Sequence, residues 1–578
     1  MNFRKLLALL LAAMMLLGVL SACGNGTTTT PDTPSDATDA PAADDQTAAP
    51  AADDKTDAPA ADDATDAPAD DTPAAPAGDN VNPATGLSTG GLTLPLCDEL
   101  TEISVFRQFS NQYISDPNEI GCYSEVERYT NVHVKWHTYS ATEQFPLYIA
   151  AQDFDDIIST NITTYTGGID KAIEDECYVD ATPYLPMAPN FAARLAADPE
   201  VDRQSRTDTG NLFFSCVQSG EQPAWLGPMV RIDWLADCGL DTPVTFDDWH
   251  EMLVAFRDQC GAASPLLLSA NGYSTIGFGL ATGFNTAGTF YAENGTTVKY
   301  GFLDDSMRDY VALMAQWYSE GLIDKDFMSH SAFTDGQSMY CNGETGAFDD
   351  LIYTFRGFWP MMNQDESDDI AAVPFPTKTE AEQGSLHFRR VNEIVGNAVS
   401  FITTAAVDRG VDELCARWLD YGYSEDGAFL LNYGVQGKTW ELGEDGLPHF
   451  TDFYLNNPDY TSSEMSDLWT DKGRGEYYMW IKENDMYSAE VLSAYDIWGD
   501  SSTGDWVMPA ITMTAEEAEA FSSVSNDITT YVNEHVLKMI VGEESIDKWD
   551  DVVSTIQSMG IQDCIDIQQT ALDRYNAR

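Results

Sequence analysis

A long tract of very low complexity near the N-terminus limits where this chain can fold. From residue 24 to about residue 82 the sequence is almost entirely Ala, Asp, Pro and Thr, with near-repeats such as DATDAPAADD from Asp36 and DATDAPADD from Asp63. These side chains bury too little apolar surface to offset the entropy lost on ordering. We therefore predict a disordered tether over 23–90, extended by its own charge, and a folded region over 91–578.

The residues before the tether have the pattern of an export signal. Two basic residues precede an apolar run over 6–20, which is shorter than the about 20 residues of a membrane-spanning helix. The run ends in LSAC at 20–23, the residue order of a bacterial lipobox. We predict a lipoprotein signal peptide over 1–22 and lipidation of Cys23, which places the chain on the outer face of a Gram-positive cell membrane. A plain secretory signal is the alternative.

The charge of the folded region argues against several partners. The whole chain has a formal net charge of −65. The signal carries +2 and the tether, with fourteen Asp and one Lys, carries −13, which leaves about −54 for the folded region. Nucleic acids and anionic lipid surfaces need clusters of Lys and Arg. We expect no nucleic-acid partner, and a neutral or cationic ligand rather than an anion.

The cysteines show no metal or redox motif. Nine remain after Cys23, spread from Cys97 to Cys564, and none forms a CxxC pair. Disulfides are permitted outside the cell, but their pairing stays open at this stage. Buried, small apolar positions are the expected role for most of them.

Strand and helix patterns alternate in the first part of the folded region. Residues 103–106 and 132–136 alternate between apolar and polar side chains, and 154–160 reads as a buried strand. Helical patterns at 116–129 and 141–152 separate them. This βαβαβ order predicts an α/β fold with a parallel sheet covered by helices.

Later helices have clear start signals and apolar stripes. Thr245 precedes an acidic first turn, and Thr514 with Glu517 has the spacing of a capping box. Trp249 and Trp317 fall on apolar stripes with helical period. We expect both tryptophans in the core rather than in a binding site.

Four segments carry a family resemblance: WLADCGLDTPVTFDDWHEMLVAFRD, FYAENGTTVKYGFLDDSMRDYVALMAQWYSEGLIDKDF, YGVQGKTWELGEDGLPHFTD and the tail DRYN at 573–576. The chain resembles the extracellular solute-binding proteins of family 1, and within them the large lipoproteins that serve oligosaccharide ABC importers. The resemblance implies a two-lobed periplasmic-binding-protein-like type II fold. Each lobe would be a mainly parallel sheet flanked by helices, and a ligand cleft would lie between lobes that close by a hinge motion.

The sequence agrees with lobes built from discontinuous segments. Short extended runs at 211–235, 371–403 and 504–511 are the expected crossings between lobes. Small-molecule sites favour such concave surfaces between domains. The predicted lobes are 91–220 with 398–505 and 221–397 with 506–578.

A sugar needs aromatic faces for its C–H surface and polar groups for its hydroxyls, and strand ends and crossings are the best places to look for both. A packing role is the alternative for each Trp. An anionic substituent would need a basic pocket around Arg107, Arg231 or Arg389. We place Asp156 and Ser159 at the end of the third strand, and Trp498 in a Gly- and Asp-rich loop. The candidate ligand-binding residues are Phe106, Gln108, Asn111, Asp156, Ser159, Trp225, Trp359, Asn392, Glu393 and Trp498.

The resemblance also implies partners and limits cofactors. Some family members hold calcium in an oxygen-rich loop, but 259–269 offers no such repeat, and no EF-hand pattern occurs elsewhere. We expect no metal and no cofactor. The implied partners are an oligosaccharide ligand, the separate transmembrane subunits of an ABC permease and a lipid anchor, with the protein itself a monomer.

Two other functions compete with an oligosaccharide carrier. The same fold could bind a peptide or another non-sugar solute. A secreted glycosidase would need paired carboxylates. In a chain this acidic, pairs of carboxylates are expected by chance, so they do not indicate an active site. The sequence has no HExxH or GxxxxGK[ST], and GLSTG at 86–90 lacks the preceding strand of a nucleophile elbow. We therefore expect a protein that is not an enzyme.

Overall fold

The computed structural model describes residues 78, 80–111, 113–141, 143–219, 224–268, 279–330, 332–351, 370–391, 394–472 and 476–578. The predicted signal, Cys23 and most of the predicted tether lie outside these ranges. Among the helices in them, none is both long and apolar enough to cross a membrane.

The strands of these residues are short, and most belong to two separate sheets. In chain order they are β1 Asn80–Val81, β2 Ser88–Gly90, β3 Thr101–Gln108, β4 Val132–Tyr139, β5 Ile157–Asn161, β6 Phe214–Gln218, β7 Ala224–Arg231, β8 Leu266–Leu267, β9 Phe290–Glu293, β10 Thr297–Tyr300, β11 Ala347–Leu351, β12 Ile370–Ala372, β13 Arg390–Val391, β14 Val395–Ile402, β15 Trp440–Leu442, β16 Pro448–Phe450 and β17 Tyr477–Tyr478.

The α-helices cover the sheets and form the C-terminal segment. They are α1 Gly121–Thr130, α2 Gln144–Ala151, α3 Gly168–Glu174, α4 Pro189–Ala197, α5 Pro199–Gln204, α6 Ile232–Cys238, α7 Phe246–Asp258, α8 Asp305–Ser319, α9 Ala332–Cys341, α10 Thr404–Arg409, α11 Asp412–Tyr421, α12 Glu425–Tyr433, α13 Asp452–Leu455, α14 Ser462–Trp469, α15 Glu483–Met486, α16 Ala489–Ser501, α17 Ala515–Ile540, α18 Trp549–Met559 and α19 Ile561–Ala577.

The two main sheets define two lobes. The first sheet has the order β17-β6-β14-β5-β3-β4, with β3 parallel to both β4 and β5, as the βαβαβ pattern predicts. The second sheet has the order β12-β7-β11-β8, with β13 also beside β7. It differs from the predicted mainly parallel sheet, because β7 is antiparallel to β11, β12 and β13. Helices α6 to α9 lie between β7 and β11 in the chain, and β11 pairs in parallel with β8.

Both faces of the first sheet are buried, so neighbouring residues of one strand enter different cores. Val105 packs under α1 and α11, whereas Phe106 packs on the opposite face with Tyr148 of α2. Parallel sheets with helices on both faces show this arrangement. In the second lobe, Trp249 and Trp317 are fully buried, as their helical stripes predict.

The predicted helix starts are confirmed. Thr245 accepts a hydrogen bond from the backbone NH of Asp248 at 3.2 Å, and the Asp248 carboxylate accepts one from the Thr245 NH at 2.8 Å. Thr514 and Glu517 make the same reciprocal pair, at 3.3 and 2.9 Å. These bonds satisfy donors that a helix N-terminus leaves without a partner.

The last residues of the predicted tether are folded. The β1–β2 hairpin lies against α12, where Asn82 donates to Asp426 at 2.8 Å and the Ser88 NH donates to Glu425 at 2.9 Å. Asn82 is 2% exposed. The boundary predicted at residue 90 is therefore about ten residues too late, because composition does not reveal polar contacts with a distant helix.

Helix α16 packs on the second sheet, which moves one predicted boundary. Val491, Ala494 and Trp498 share a core with β7 and β12. Trp498 donates its indole NH to the carbonyl of Pro228 at 3.2 Å, and it approaches so closely that a Cβ on Gly227 would lie 2.5 Å from its Nε1. The third crossing therefore precedes α16, whereas the sequence placed it at 504–511.

Candidate ligand-binding site

Three chain segments connect the two sheets, and the described residues at their first-lobe ends lie side by side. The first crossing joins β6 to β7, the second joins β13 to β14, and the third follows β17. The NH of Gln218 donates to the carbonyl of Ile394, and the NH of Ser219 donates to the carbonyl of Tyr478, each at 2.9 Å. Adjacent crossings of this kind confine a change of interlobe angle to a few backbone positions, which is the geometry of a hinge.

Aromatic and polar side chains gather at these crossings. Trp480 donates its indole NH to the side chain of Gln218 at 3.1 Å and its backbone NH to the hydroxyl of Ser219 at 3.2 Å. The Tyr478 ring meets the Trp480 ring edge to face, with centroids 5.0 Å apart. Both rings are half-buried. Rings of this kind offer an apolar face beside hydrogen-bonding groups.

Sequence reasoning missed Tyr478 and Trp480. The segment YYMWIK gives no sign that it is a crossing, because its strand partner β6 lies about 260 residues earlier in the chain. A half-buried Trp225 lies at the start of β7, beside the first crossing, where the sequence predicted it.

A cavity of about 340 Å³ opens where β3 ends. Gln108 and Asn111 line it, together with Asp467 and Lys472 from the other side. Asn111 donates to the Asp467 carbonyl at 2.7 Å, and Lys472 lies 2.6 Å from the Asp467 carboxylate. Two of the predicted ligand residues therefore border one polar cavity.

The inner wall of this cavity holds a buried ion pair. Arg107 donates to Asp471 at 2.9 Å and to the Tyr123 hydroxyl at 2.6 Å, and its guanidinium carbon lies 5.5 Å from the Trp136 ring centre. Burial, and then the charge of Asp471, raise the pKa of nearby Glu476 to about 8. Arg107 and Asp471 neutralise each other, and Glu476, which lines a separate small cavity with Arg107, is mainly protonated at pH 7. These buried groups therefore suit a neutral ligand.

The arginines considered for a basic pocket are all engaged. Arg107 is paired as above, Arg231 forms an ion pair with Asp233, and Arg389 donates to the carbonyl of Gly499 at 3.0 Å. Arg107 and Arg231 are neutralised by carboxylates, and Arg389 is held by a backbone carbonyl, so these three positions do not form one basic pocket.

Ser159 lies deeper in the first lobe. Its hydroxyl is 2.7 Å from that of Ser400 on the neighbouring strand β14. Both line a small cavity of about 30 Å³ with Arg107 and Glu476, large enough for a water molecule.

Three other predicted ligand residues are buried by protein contacts. Phe106 is 2% exposed and stacks on Tyr148 with ring centres 3.6 Å apart. Asp156 precedes β5 instead of following it, and forms an ion pair with Arg409 while accepting from the Ser104 NH at 2.7 Å. Trp498 is fully buried in α16 rather than lying in a loop.

Trp359, Asn392 and Glu393 lie outside the described residues, as does Cys23. Within the described ranges, no three His, Cys, Asp or Glu side chains are grouped so that they could hold a metal ion.

Two α/β lobes connected by three chain segments, with polar and aromatic groups at the joint, make up the fold of two-lobed solute-binding proteins. The chain matches no protein-family model. It is similar to the fructooligosaccharide ABC transporter substrate-binding protein FusA of Streptococcus pneumoniae, with 24% identity over 535 residues that cover 84% of this chain and 93% of FusA. It is also similar to lipoprotein LipO of Bacillus subtilis, with 23% identity over 385 residues, 63% of this chain and 70% of LipO.

Solved structures show the same fold. The alginate-binding protein AlgQ2 without calcium ion aligns with a TM-score of 0.65 and 22% identity, over 83% of this chain and 99% of AlgQ2. The predicted two-lobed α/β fold is therefore confirmed, and so is the resemblance to solute-binding proteins of oligosaccharide ABC transporters. FusA is named as the substrate-binding protein of a transporter, and AlgQ2 is named as an alginate-binding protein.

Proposed function

We propose that this protein is the substrate-binding lipoprotein of an ABC importer, which captures an oligosaccharide between its lobes and delivers it to a permease by hinge closure. The three hydrogen-bonded crossings carry the proposal, because they join two otherwise separate sheets and bring Trp480, Tyr478 and Gln218 to the joint. A ligand that touches both lobes would favour the closed state through its additional contacts there.

The lobes in this proposal follow the sheets. The first lobe comprises 80–218 and 395–478, and the second comprises 224–391 and 489–578. The ligand residues that we propose are Gln108, Asn111, Ser159, Trp225, Tyr478 and Trp480, with Trp359, Asn392 and Glu393 as further candidates from the sequence.

The ligand class rests on chemistry and on the relatives. FusA is named for fructooligosaccharides, and the buried wall around Arg107 is nearly neutral at pH 7. Amide and hydroxyl groups beside aromatic rings match a neutral, hydroxyl-rich molecule. A peptide is the second candidate, since a polar cavity of about 340 Å³ could hold one as well.

The anchor and the location are proposed on the N-terminal sequence. LipO is a lipoprotein, and the LSAC motif ends at Cys23. We propose that a lipid on Cys23 holds the protein at the outer face of a Gram-positive cell membrane, and that it works as a monomer with separate permease subunits.

The test is the melting temperature of the chain from residue 24, measured with fructooligosaccharides, other neutral oligosaccharides, acidic glycans and peptides. A ligand at 100 times its Kd stabilises the folded state by about 2.7 kcal/mol. We expect an upward shift with one class of neutral glycan, which is recovered intact. A shift with peptides alone would reject the sugar, and consumption of the glycan would reject the carrier.

A further inference from the structure

Two cysteines of the second lobe lie with their sulfur atoms in contact. Cys238 is the last residue of α6, and Cys260 comes two residues after the end of α7. Their Sγ atoms are 3.4 Å apart, and both side chains are half-buried. A further approach of about 1.4 Å would reach the disulfide bond length of about 2.05 Å.

The contact between these cysteines is held by structure on both sides. The NH of Gly239 donates back into α6 at 3.1 Å, and the NH of Gln259 donates back into α7 at 2.8 Å. The rings of Trp234 and Phe256 pack edge to face between the two helices, with centroids 5.3 Å apart. Helix ends and a shared core therefore keep the two thiols together without any covalent bond.

We propose that Cys238 and Cys260 form a disulfide bond in the exported protein, with a low-molecular-weight disulfide as the oxidant. The proposal rests on the export in the proposed function, because disulfides persist outside the cell and are rare in the cytosol. It adds a covalent modification site to the second lobe.

The reaction is two successive thiol–disulfide exchanges. The thiolate of the first cysteine attacks one sulfur of the oxidant, forms a mixed disulfide and releases one thiolate, which takes up a proton. The thiolate of the second cysteine then attacks the first cysteine's sulfur and releases the oxidant's other half as a thiol. The two cysteines are oxidised, the oxidant is reduced to two thiols, and the two cysteine protons end on them.

The thiolate is the attacking species in both steps. Burial, and then the hydrogen bond with Cys238, raise the pKa of Cys260. We therefore expect the oxidation to be faster at alkaline pH than at neutral pH.

The cross-link lies within one lobe. It joins α6 to the end of α7, and all three crossings lie outside the 238–260 loop that it closes. A bond that closes a loop inside the second lobe stabilises the folded state by restricting the unfolded chain. The cross-link therefore does not restrict movement at the three crossings.

The experiment treats the purified chain from residue 24 with oxidised glutathione, blocks free thiols and maps peptides without reduction. We expect one peptide pair that joins Cys238 to Cys260, two hydrogen atoms lighter than the separate peptides and separated by a reductant. Cys341→Ser is the matched control, because Cys341 is an exposed cysteine outside the pair, and this variant should keep the link. Cys260→Ser and Cys238→Ser should each lose the linked peptide pair and leave the remaining cysteine to form a mixed disulfide with glutathione.

The mapping on the unaltered chain decides the proposal even where a serine variant folds poorly. Reduction should lower the melting temperature of the linked chain by several degrees. Free thiols at both positions after oxidation, or a link from either one to another cysteine, would overturn the proposal. Both thiols free in protein taken from the cell surface under alkylating conditions would also overturn it, whereas ligand binding measured on the same sample tests the proposed function separately.

Discussion

Arg574 of α19 donates its Nε to the carboxylate of Asp208, 2.6 Å away, and so bonds the last helix of the second lobe to the first lobe. Asp208 also pairs with Arg578 and accepts from the Thr512 hydroxyl at 2.9 Å. Its side chain is 6% exposed. The lobes are therefore joined by a buried polar contact as well as by the three crossings.

Asp208→Asn should destabilise the protein by about 2 kcal/mol, because it removes the charge that two arginines share while keeping the shape of the side chain. Urea unfolding measures the loss. Asp202→Asn is the control: Asp202 pairs with Arg206 at 2.9 Å on a more exposed surface, where about 0.5 kcal/mol is expected. Equal losses of unfolding free energy in the two variants would show that the interlobe contact stabilises the protein no more than a surface ion pair does.

Trp480→Ala should weaken oligosaccharide binding by about 30-fold, since truncating an aromatic anchor at the centre of a site costs about 2 kcal/mol. Because Trp480 is half-buried, the melting temperature of the Trp480→Ala protein should differ little from that of the unaltered protein. Isothermal titration and thermal melting measure the two effects.

The matched control is Trp440→Ala, since Trp440 is 1% exposed and donates its indole NH to Gly434 at 3.0 Å. This variant should lose stability rather than affinity. If Trp480→Ala lost stability to the same degree, Trp480 would be a packing residue and the proposed site would lose its main aromatic group.

Phe106→Ala should cost about 3–5 kcal/mol of stability, because the ring stacks on both Tyr148 and Tyr139 in a closed core. Leu147→Ala, on the same helix as Tyr148 but 72% exposed, should change stability by less than about 0.5 kcal/mol. Chemical denaturation compares them. A Phe106→Ala protein with normal stability and weakened binding would instead support the ligand role that the sequence suggested.

The sequence predicted elements where local pattern and tertiary packing agree. Strands β3, β4 and β5 alternate or are fully apolar, and the helices between them have the matching period, so this part of the first lobe was predictable. The caps at Thr245 and Thr514 were predictable because a capping box is complete within four residues.

Prediction failed where contacts join distant residues. Val491, Ala494 and Trp498 do carry a helical spacing, yet the Gly and Asp residues that follow made the segment look like a loop. The folded hairpin around Asn82 depends on Asp426, 344 residues later, and its own composition resembles the tether. The position of Trp480 depends on its pairing with Gln218, which no local pattern reports.

Cys23→Ala should release the protein from the membrane fraction into the medium, since a lipid on this cysteine is the proposed attachment. Cell fractionation with immunodetection measures the distribution. Cys341→Ala, at an exposed cysteine in the folded region, should stay with the membrane. A Cys23→Ala protein that remains bound would reject the lipid anchor.

Glu476→Gln should stabilise the protein at high pH. The pKa of Glu476 is raised from 4.5 to about 8, first by burial and then by Asp471. Between pH 4.5 and pH 8 the folded state therefore holds a proton that the unfolded state has lost, so this group makes stability fall as pH rises, and the penalty is complete above about pH 8. Glutamine imitates the protonated form and removes this penalty.

The melting temperature of Glu476→Gln relative to the unaltered protein should thus rise from about zero near pH 4.5 to a maximum above pH 8. Glu464→Gln gives the opposite control, because hydrogen bonds from Tyr113 and Thr461 lower the pKa of Glu464. Its charged form contributes stability above the unfolded pKa of about 4.5, so this variant should be less stable at neutral pH and approach the unaltered protein as the pH falls. If the melting-temperature difference from the unaltered protein changed with pH in the same way for both variants, Glu476 would be ionised at neutral pH. The buried wall beside Arg107 would then carry a net negative charge.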